Sequence, residues 1–125
     1  MRNLRIAIVG LGGMGHAHAV AVRDEPGCEL VGGAEVNTES AKAWSDRFGV
    51  SAVFTDYRAL YSETRPDIVV VSTQAPAHCD PVVTAAEQGI HVFCEKPIAL
   101  DLMQADRMVE ACERSNVRFA INHIK

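Results

Sequence analysis

The stretch Gly10-Leu11-Gly12-Gly13-Met14-Gly15 decides the fold, because of what precedes and follows it. The apolar run Leu4–Val9 before it predicts a strand, and the residues from about Gly13 to Asp24 predict a helix. The first glycine of the stretch permits a tight turn, the second leaves the backbone open to close approach, and the last lets the helix pack against the strand. A strand, a glycine turn and a helix in this order are expected to begin an α/β fold.

The rest of the chain continues to alternate between strands and helices. Further strands are expected at about Glu29–Ala34, Ala52–Phe54, Asp67–Ser72, His91–Cys94 and Val117–Ile121. Helices are expected at about Thr38–Phe48, Tyr57–Ser62, Pro81–Gly89 and Leu100–Ser115, with Asp80 and Asp101 as N-caps of the last two. Six strands separated by helices predict a doubly wound parallel sheet, the Rossmann fold, with strand order 3-2-1-4-5-6.

Composition excludes several classes of function. The chain has 125 residues, 48% of them hydrophobic and 22% charged, which is typical of one soluble domain. A formal charge of -4 offers no electrostatic case for binding nucleic acid or an anionic membrane, and no apolar run is long enough to span a bilayer. Four cysteines without metal-ligand spacing predict reduced thiols, no metal site and a cytoplasmic location (Cys28, Cys79, Cys94 and Cys112).

The glycine turn is expected to bind the pyrophosphate of a dinucleotide, because its context is a strand followed by a helix. A purely structural glycine turn is the alternative. Glu35 stands at the end of the second expected strand, twenty residues after Gly15, where an acidic residue hydrogen-bonds the adenosine ribose. A solvated carboxylate at a strand end is the other interpretation of Glu35.

The residues after Glu35 favour NAD over NADP. Val36 follows it directly, and no arginine occurs before Arg47, so a 2′-phosphate would meet the carboxylate without a neutralising cation. Two unit charges about 4 Å apart repel by roughly 1 to 4 kcal/mol across the plausible dielectric range. That repulsion corresponds to about fivefold to several hundredfold in affinity.

A second motif carries a family resemblance. The segment His91-Val92-Phe93-Cys94-Glu95-Lys96-Pro97, with the glycine turn and with Ser72, Thr73 and His78, resembles the glucose–fructose oxidoreductase / inositol dehydrogenase / MocA (Gfo/Idh/MocA) family. The resemblance covers residues 1–125 as one dinucleotide-binding domain and only the family's N-terminal half. It implies a set of cofactor-binding residues: Gly10, Leu11, Gly12, Gly13, Met14, Gly15, Glu35, Ser72, Thr73, Gln74, His78, Glu95, Lys96 and Asn122.

The resemblance also implies a catalytic role for Lys96. It places Glu95 and Lys96 beside the nicotinamide ribose and the substrate, where the lysine would hydrogen-bond a substrate hydroxyl and share in proton transfer. A surface Glu-Lys ion pair is the alternative. The resemblance suggests a cis peptide before Pro97, whereas a plain turn is the simpler expectation from sequence. The chain departs from the family at Gln74, where members commonly have proline.

Three other residues invite functional interpretations that the sequence does not favour. His18 is two positions from His16, which puts the two side chains in different directions on a helix, so His18 is expected at the helix surface or an interface. His91 is expected to be structural. Trp44 lies at helical spacing from Ala41 and Phe48 and is expected to face the core.

The expected function is that of the NAD(H)-binding domain of an NAD-dependent dehydrogenase. The resemblance implies hydride transfer from a secondary alcohol of a sugar, cyclitol or related polyol, a small-molecule substrate. The alternatives are an NAD-dependent glycoside hydrolase of the same fold and a non-catalytic NAD-binding or redox-sensing module. In the family a second domain follows the sixth strand, so the 125 residues alone are expected to be inactive and to self-associate as a homo-oligomer through exposed edges.

Overall fold

The computed structural model describes residues 3–74, 77–99 and 101–122, and these form one six-stranded parallel sheet. The strand order is β3-β2-β1-β4-β5-β6, which confirms the predicted doubly wound topology. The strands are β1 (Leu4–Val9), β2 (Cys28–Ala34), β3 (Val53–Phe54), β4 (Ile68–Val71), β5 (His91–Glu95) and β6 (Phe119–Asn122).

Within the described residues, five α-helices connect the strands and cover both faces of the sheet. They are α1 (Gly13–Arg23), α2 (Thr38–Phe48), α3 (Tyr57–Thr64), α4 (Cys79–Glu87) and α5 (Leu102–Arg114). Side chains of α1 and α2 pack with Ile6, Ile8 and Val70, whereas those of α3, α4 and α5 pack with the alternate strand residues. Neighbouring strand residues point to opposite faces, so this division puts two helices on one face and three on the other.

The run Ile68–Val71 explains why β4 lies in the middle of the sheet. Val69 and Val71 belong to the core on the α3–α5 face, and Val70 belongs to the core on the α1–α2 face. A strand that is covered on both faces has no solvent-exposed side, so polar residues do not alternate with apolar ones along it. Its sequence is therefore almost continuous in branched apolar residues.

Capping residues set the ends of several helices. The side chains of Asn37, Asp56 and Asp101 accept hydrogen bonds from backbone amides at the starts of α2, α3 and α5. Gly49 ends α2 at φ 65°, in the left-handed region that suits glycine. The predicted cap at Asp101 is therefore confirmed, while the predicted helical residue Leu100 lies outside the described residues.

The structure corrects the start of α4. Asp80 was expected as its N-cap and Pro81 as its first residue, but the helix begins two residues earlier, at Cys79, and position 78 caps it without a side-chain hydrogen bond. Asp80 and Pro81 therefore lie inside the first helical turn. Both are compatible with that place, because first-turn amides need no helical acceptor and a carboxylate there meets the positive end of the helix dipole.

All six strands run in the same direction, so their carboxyl ends form one edge of the sheet, called here the carboxyl edge. The strand order reverses between β1 and β4, and the residues that follow these two strands are neighbours at this edge. Ligands of doubly wound sheets bind at such a reversal. Among the described residues, no helix is both long and apolar enough to cross a membrane.

Candidate functional site

The glycine turn at the carboxyl edge needs glycine at two of its positions. Gly10 has φ +93°, and a Cβ on it would lie 2.7 Å from the backbone nitrogen of Thr73. A Cβ on Gly15 would lie 2.2 Å from the carbonyl oxygen of Gly10. Neither distance is possible for a real side chain, so these two glycines permit the tight turn and the close approach of helix and strand.

Gly12 has a different environment from its neighbours in the turn. A Cβ on Gly12 or on Gly13 would meet no atom within 4 Å, and both residues are exposed. Folding of the described residues therefore makes no steric demand for glycine at these two positions. An open backbone at the centre of the turn is what a pyrophosphate needs for close approach.

The start of α1 provides hydrogen-bond donors for an anion. Its N-cap is Gly12, which supplies no side-chain acceptor, and its first turn contains no acidic residue. The first amides of the helix are thus free of side-chain capping, in contrast to those of α2, α3 and α5. Free amides at the positive end of a helix dipole favour a phosphate group.

Glu35 joins the glycine turn to the start of α2. Its Oε1 accepts a hydrogen bond from the Leu11 amide at 2.9 Å, and its Oε2 accepts one from the Asn37 amide at 2.9 Å. The Leu11 side chain is fully buried and its amide is engaged by Glu35, so this residue shapes the turn from inside. Glu35 itself is half-buried at the end of β2, the place where the sequence predicts a ribose-binding carboxylate.

The residues after β4 tie this strand to the glycine turn. The Ser72 hydroxyl lies 2.7 Å from the carbonyl oxygen of Gly10 and 3.2 Å from that of Val9. The Thr73 hydroxyl donates to the carbonyl oxygen of Ala77 at 3.2 Å. Gln74, which follows, is exposed. Ser72 and Thr73 are half-buried and follow β4, next to the glycine turn that follows β1.

His78 is buried between the segments that follow β4 and β5. Its side chain is 1% exposed, with Nε2 2.7 Å from the carbonyl oxygen of Thr73 and Nδ1 3.2 Å from that of Ile98. The ring thus connects the segment after β4 to the segment after β5. These two contacts fix the position of the ring, which the resemblance places near the cofactor.

Glu95 forms the polar centre of the other half of the carboxyl edge. Its side chain points inward, where Oε1 contacts Nε2 of His18 and accepts a hydrogen bond from Nδ2 of Asn122 at 3.0 Å. His18 is therefore half-buried against β5, which differs from the helix-surface position that was one of the two expectations for it. The sequence signal was weak, because the two partners are 77 positions apart and on different elements.

Lys96 follows Glu95 but does not pair with it. The lysine is exposed and makes no hydrogen bond or ion pair with the part of the chain that the structure describes. The surface Glu-Lys ion pair that sequence left open is therefore not formed. The Lys96–Pro97 peptide bond is cis, as the resemblance suggested.

Trp44 and His91 have the structural roles expected of them. Trp44 is completely buried, and its indole nitrogen donates to the carbonyl oxygen of Gly15 at 3.2 Å, which supports the glycine turn from the core side. Nδ1 of His91 accepts a hydrogen bond from the Arg118 amide at 3.0 Å.

The cysteines form no disulfide and no metal site. All four are free, and burial raises the pKa of Cys94 to about 12 and also raises those of Cys79 and Cys112. Within residues 3–74, 77–99 and 101–122, no group of three or more histidine, cysteine, aspartate or glutamate residues is arranged to hold a metal ion.

These features are those of a dinucleotide-binding Rossmann domain: an open glycine turn, helix amides without a side-chain cap and a carboxylate at the end of β2. Residues 4–123 match the family described as "Oxidoreductase family, NAD-binding Rossmann fold" (GFO_IDH_MocA). The chain belongs to this Gfo/Idh/MocA family and is an NAD-binding oxidoreductase domain of it.

Three known proteins illustrate the similarity. D-apiose dehydrogenase of Paraburkholderia graminis is 34% identical over 122 residues, which are 98% of this chain and 32% of that protein. The 2,7-anhydro-N-acetylneuraminate hydratase of Mediterraneibacter gnavus is 35% identical over 124 residues, 99% of this chain and 32% of that protein. The crystal structure of the WlbA dehydrogenase from Bordetella pertussis with NADH and UDP-GlcNAcA superposes with a TM-score of 0.92 at 28% identity, over 97% of this chain and 37% of that one.

The chain therefore spans about a third of the length of the curated relatives it matches.

Proposed function

We propose that this chain is the cofactor-binding domain of an NAD-dependent dehydrogenase that oxidises a secondary alcohol of a sugar, cyclitol or related polyol. The observation that carries the proposal is that two features lie together at the carboxyl edge of the sheet. One is the open turn at Gly12, and the other is the exposed side chain of Lys96, which makes no hydrogen bond or ion pair with the described residues. Relatives that are named as dehydrogenases of sugars and inositol support the substrate class.

The proposed cofactor site uses backbone groups for the phosphates and carboxylates for the sugars. The turn residues Gly12 to Met14 and the first amides of α1 would hold the pyrophosphate, Glu35 the adenosine ribose, and Glu95 the ribose next to nicotinamide. The switch-point residues Ser72, Thr73 and Gln74 would line the groove between these two halves. When bound, NAD+ supplies the acceptor for a hydride from the carbon that carries the substrate hydroxyl.

Lys96 is the proposed catalytic residue. As an ammonium, its Nζ donates a hydrogen bond to the substrate hydroxyl and so orients the carbon that is oxidised. In its neutral form the same nitrogen accepts the hydroxyl proton, which leaves the oxygen able to form a carbonyl. The inward direction of Glu95 supports this role. Its carboxylate contacts His18 and Asn122, so it does not form an ion pair with Lys96.

We further propose that NAD is preferred to NADP, and that residues beyond those of this domain complete the substrate site. The preference for NAD is supported by the carboxylate of Glu35, which two backbone amides hold at the end of β2 and which would repel a 2′-phosphate. The next residue is the exposed Val36, which offers no neutralising charge. The need for further residues is supported by the relatives, which are about three times as long. The 125-residue domain alone is then expected to bind NAD(H) and to turn over little substrate.

A second reaction class is supported by the hydratase among the relatives. Hydration, like the NAD-dependent hydrolysis of a glycoside, produces no net NADH. Measurement of NADH absorbance with a panel of polyols separates these reactions from a dehydrogenase, because only the dehydrogenase accumulates NADH. Cofactor binding without any turnover of polyol or glycoside would favour a sensing module.

The test of the catalytic role uses Lys96→Ala in a protein that combines this domain with its substrate-binding part. We expect kcat to fall by about a hundredfold or more while the Kd for NAD+ changes less than about threefold, because the lysine acts on the substrate. Lys42→Ala is the matched control, since Lys42 is also exposed but pairs with Asp46 on α2. Equal losses of turnover and NAD+ affinity would assign Lys96 to cofactor binding and contradict the proposed role.

A further inference from the structure

The carboxylate of Glu95 is held by residues from two other elements. Glu95 ends β5 and is 8% exposed, His18 belongs to the second turn of α1, and Asn122 ends β6. A buried carboxylate is costly unless hydrogen-bond donors compensate for the lost water. His18 and Asn122 supply these donors, so the three side chains form one connected polar group, called here the Glu95 cluster.

Both donors of the Glu95 cluster act on the same oxygen. Nε2 of His18 and Nδ2 of Asn122 contact Oε1, whereas Oε2 makes no hydrogen bond with the described residues. Oε2 is also not fully buried, so it keeps some contact with solvent. The cluster therefore fixes the carboxylate through one oxygen and leaves the other able to accept a hydrogen bond from outside.

The histidine itself is held in place by the sheet. Its ring meets the ring of Phe93 edge-on, with centroids 5.8 Å apart and planes at 72°. Phe93 precedes Glu95 by two positions, so both side chains lie on the same face of β5 as α1. This edge-on contact stabilises the ring of His18 in its position beside β5.

We infer that His18 is a positioning residue, which together with Asn122 holds Oε1 of Glu95 so that Oε2 accepts a hydroxyl of the ribose next to nicotinamide. The inference rests on the proposed cofactor site and adds to it a residue that touches no ligand. It assigns two functions to α1. The start of the helix presents amides to the pyrophosphate, and one turn later His18 orients the carboxylate of Glu95, which binds the ribose next to nicotinamide (the distal ribose). Loss of His18 should therefore affect the distal half of the cofactor only.

Two ligands separate the distal ribose from the rest of the cofactor. ADP contains the adenosine and the two phosphates, and ADP-ribose adds the second ribose without nicotinamide. Calorimetric titration of the chain with each ligand gives their affinity ratio, which measures the contribution of the distal ribose. We compare wild type with His18→Leu, which has no donor, with His18→Gln, which keeps an N–H group, and with His16→Leu as the matched control.

We expect His18→Leu to weaken ADP-ribose binding by about tenfold and to leave ADP binding within about twofold, because a hydrogen bond to a charged group is lost. His18→Gln should recover most of this loss. His16→Leu should change neither affinity, since His16 contacts Arg47 and Phe48 on α2 and not Glu95. Equal weakening of both ligands by His18→Leu, or no change in either, would overturn the inference.

A measurement on wild type keeps the inference testable if the leucine variant does not fold. ADP-ribose, but not ADP, should shift the ring nitrogen resonances of His18 in NMR spectra, because only ADP-ribose reaches the carboxylate to which this ring is bound. Identical shifts with the two ligands would contradict the positioning role. Failure of the wild-type chain to bind ADP, ADP-ribose and NAD+ alike would instead overturn the proposed cofactor site.

Discussion

The glycine turn and the Glu95 cluster lie at the same edge of the sheet, but they are built in different ways. The turn consists of six consecutive residues and acts through backbone geometry, with Gly10 and Gly15 packed against main-chain atoms. The cluster consists of three side chains from α1, β5 and β6, separated by 77 and 27 positions along the chain. The comparison teaches that local backbone constraints leave a contiguous pattern in sequence, whereas a long-range side-chain group leaves none.

The difference predicts different sensitivities. The glycine turn is disrupted when a Cβ is added at Gly10 or Gly15, because the Cβ would collide with backbone atoms. The cluster fails when donors are removed, because a buried carboxylate then lacks compensation. Substitutions at the turn should therefore divide sharply into those that damage the fold and those that damage only binding.

The largest expected effect is the loss of stability in Gly15→Ala. The new Cβ would lie 2.2 Å from the Gly10 carbonyl oxygen, so α1 must move away from the turn. We expect a loss of about 3 kcal/mol in the free energy of unfolding, measured by urea titration followed by circular dichroism. Gly27→Ala is the control, since a Cβ there meets nothing within 4 Å. A similar small change in both variants would contradict the packing role of Gly15.

Gly12→Val should abolish binding and leave the fold intact. The side chain enters open space above the turn, where the pyrophosphate is expected, and touches no protein atom within 4 Å at its Cβ. We expect the Kd for NAD+ to rise by about a hundredfold or more, with an unchanged melting temperature. Unchanged affinity in calorimetry would show that the pyrophosphate binds elsewhere. Gly27→Val should behave like wild type in both measurements.

Glu35→Gln should narrow the preference for NAD over NADP. Removal of the negative charge at the end of β2 removes the repulsion of a 2′-phosphate, so we expect the affinity ratio to fall by about tenfold. Glu29→Gln provides the control, since Glu29 lies at the opposite end of the same strand beside Arg5. Tighter binding of NADP than of NAD by the wild-type chain would contradict the preference itself.

The smallest expected effect concerns Cys94, on the strand that leads into the Glu95 cluster. Burial raises its pKa from 9.0 to about 12, so the folded state favours the neutral thiol. The contribution to stability is fully present below about pH 9 and is lost as pH rises towards 12. Urea titrations at pH 8 and pH 10 should show a larger loss in wild type than in Cys94→Ala. Equal losses in the two proteins would show that this thiol does not contribute.

Most of the fold was predictable because each element carries a local signal. The branched apolar run of β4, the glycine turn and the capping residue Asp101 each specify their own neighbourhood, and the helix of Trp44 has an apolar stripe at helical spacing. The start of α4 was predicted wrongly at Asp80, because a capping type of residue also fits the first turn of a helix. The pattern of residue types does not distinguish these two positions.

Two side-chain environments at the carboxyl edge could not be predicted from the sequence. His18 was expected at a surface, because its neighbours on the helix say nothing about β5, and only the strand order brings the two together. The burial of His78 depends on how the segments after β4 and β5 meet, and no local pattern around position 78 predicts it. Both environments depend on contacts between elements that are far apart in the sequence.

The amino-acid sequence by itself determined the Rossmann topology, the place of the glycine turn and the acidic residue at the end of β2, because hydrophobic periodicity and glycine sterics act over a few consecutive residues. Only the tertiary structure decided that Glu95 faces His18 and Asn122 and does not pair with Lys96. The physical reason is that a buried carboxylate takes its donors from whichever elements the sheet makes its neighbours, and those neighbours are set by the packing of the whole chain.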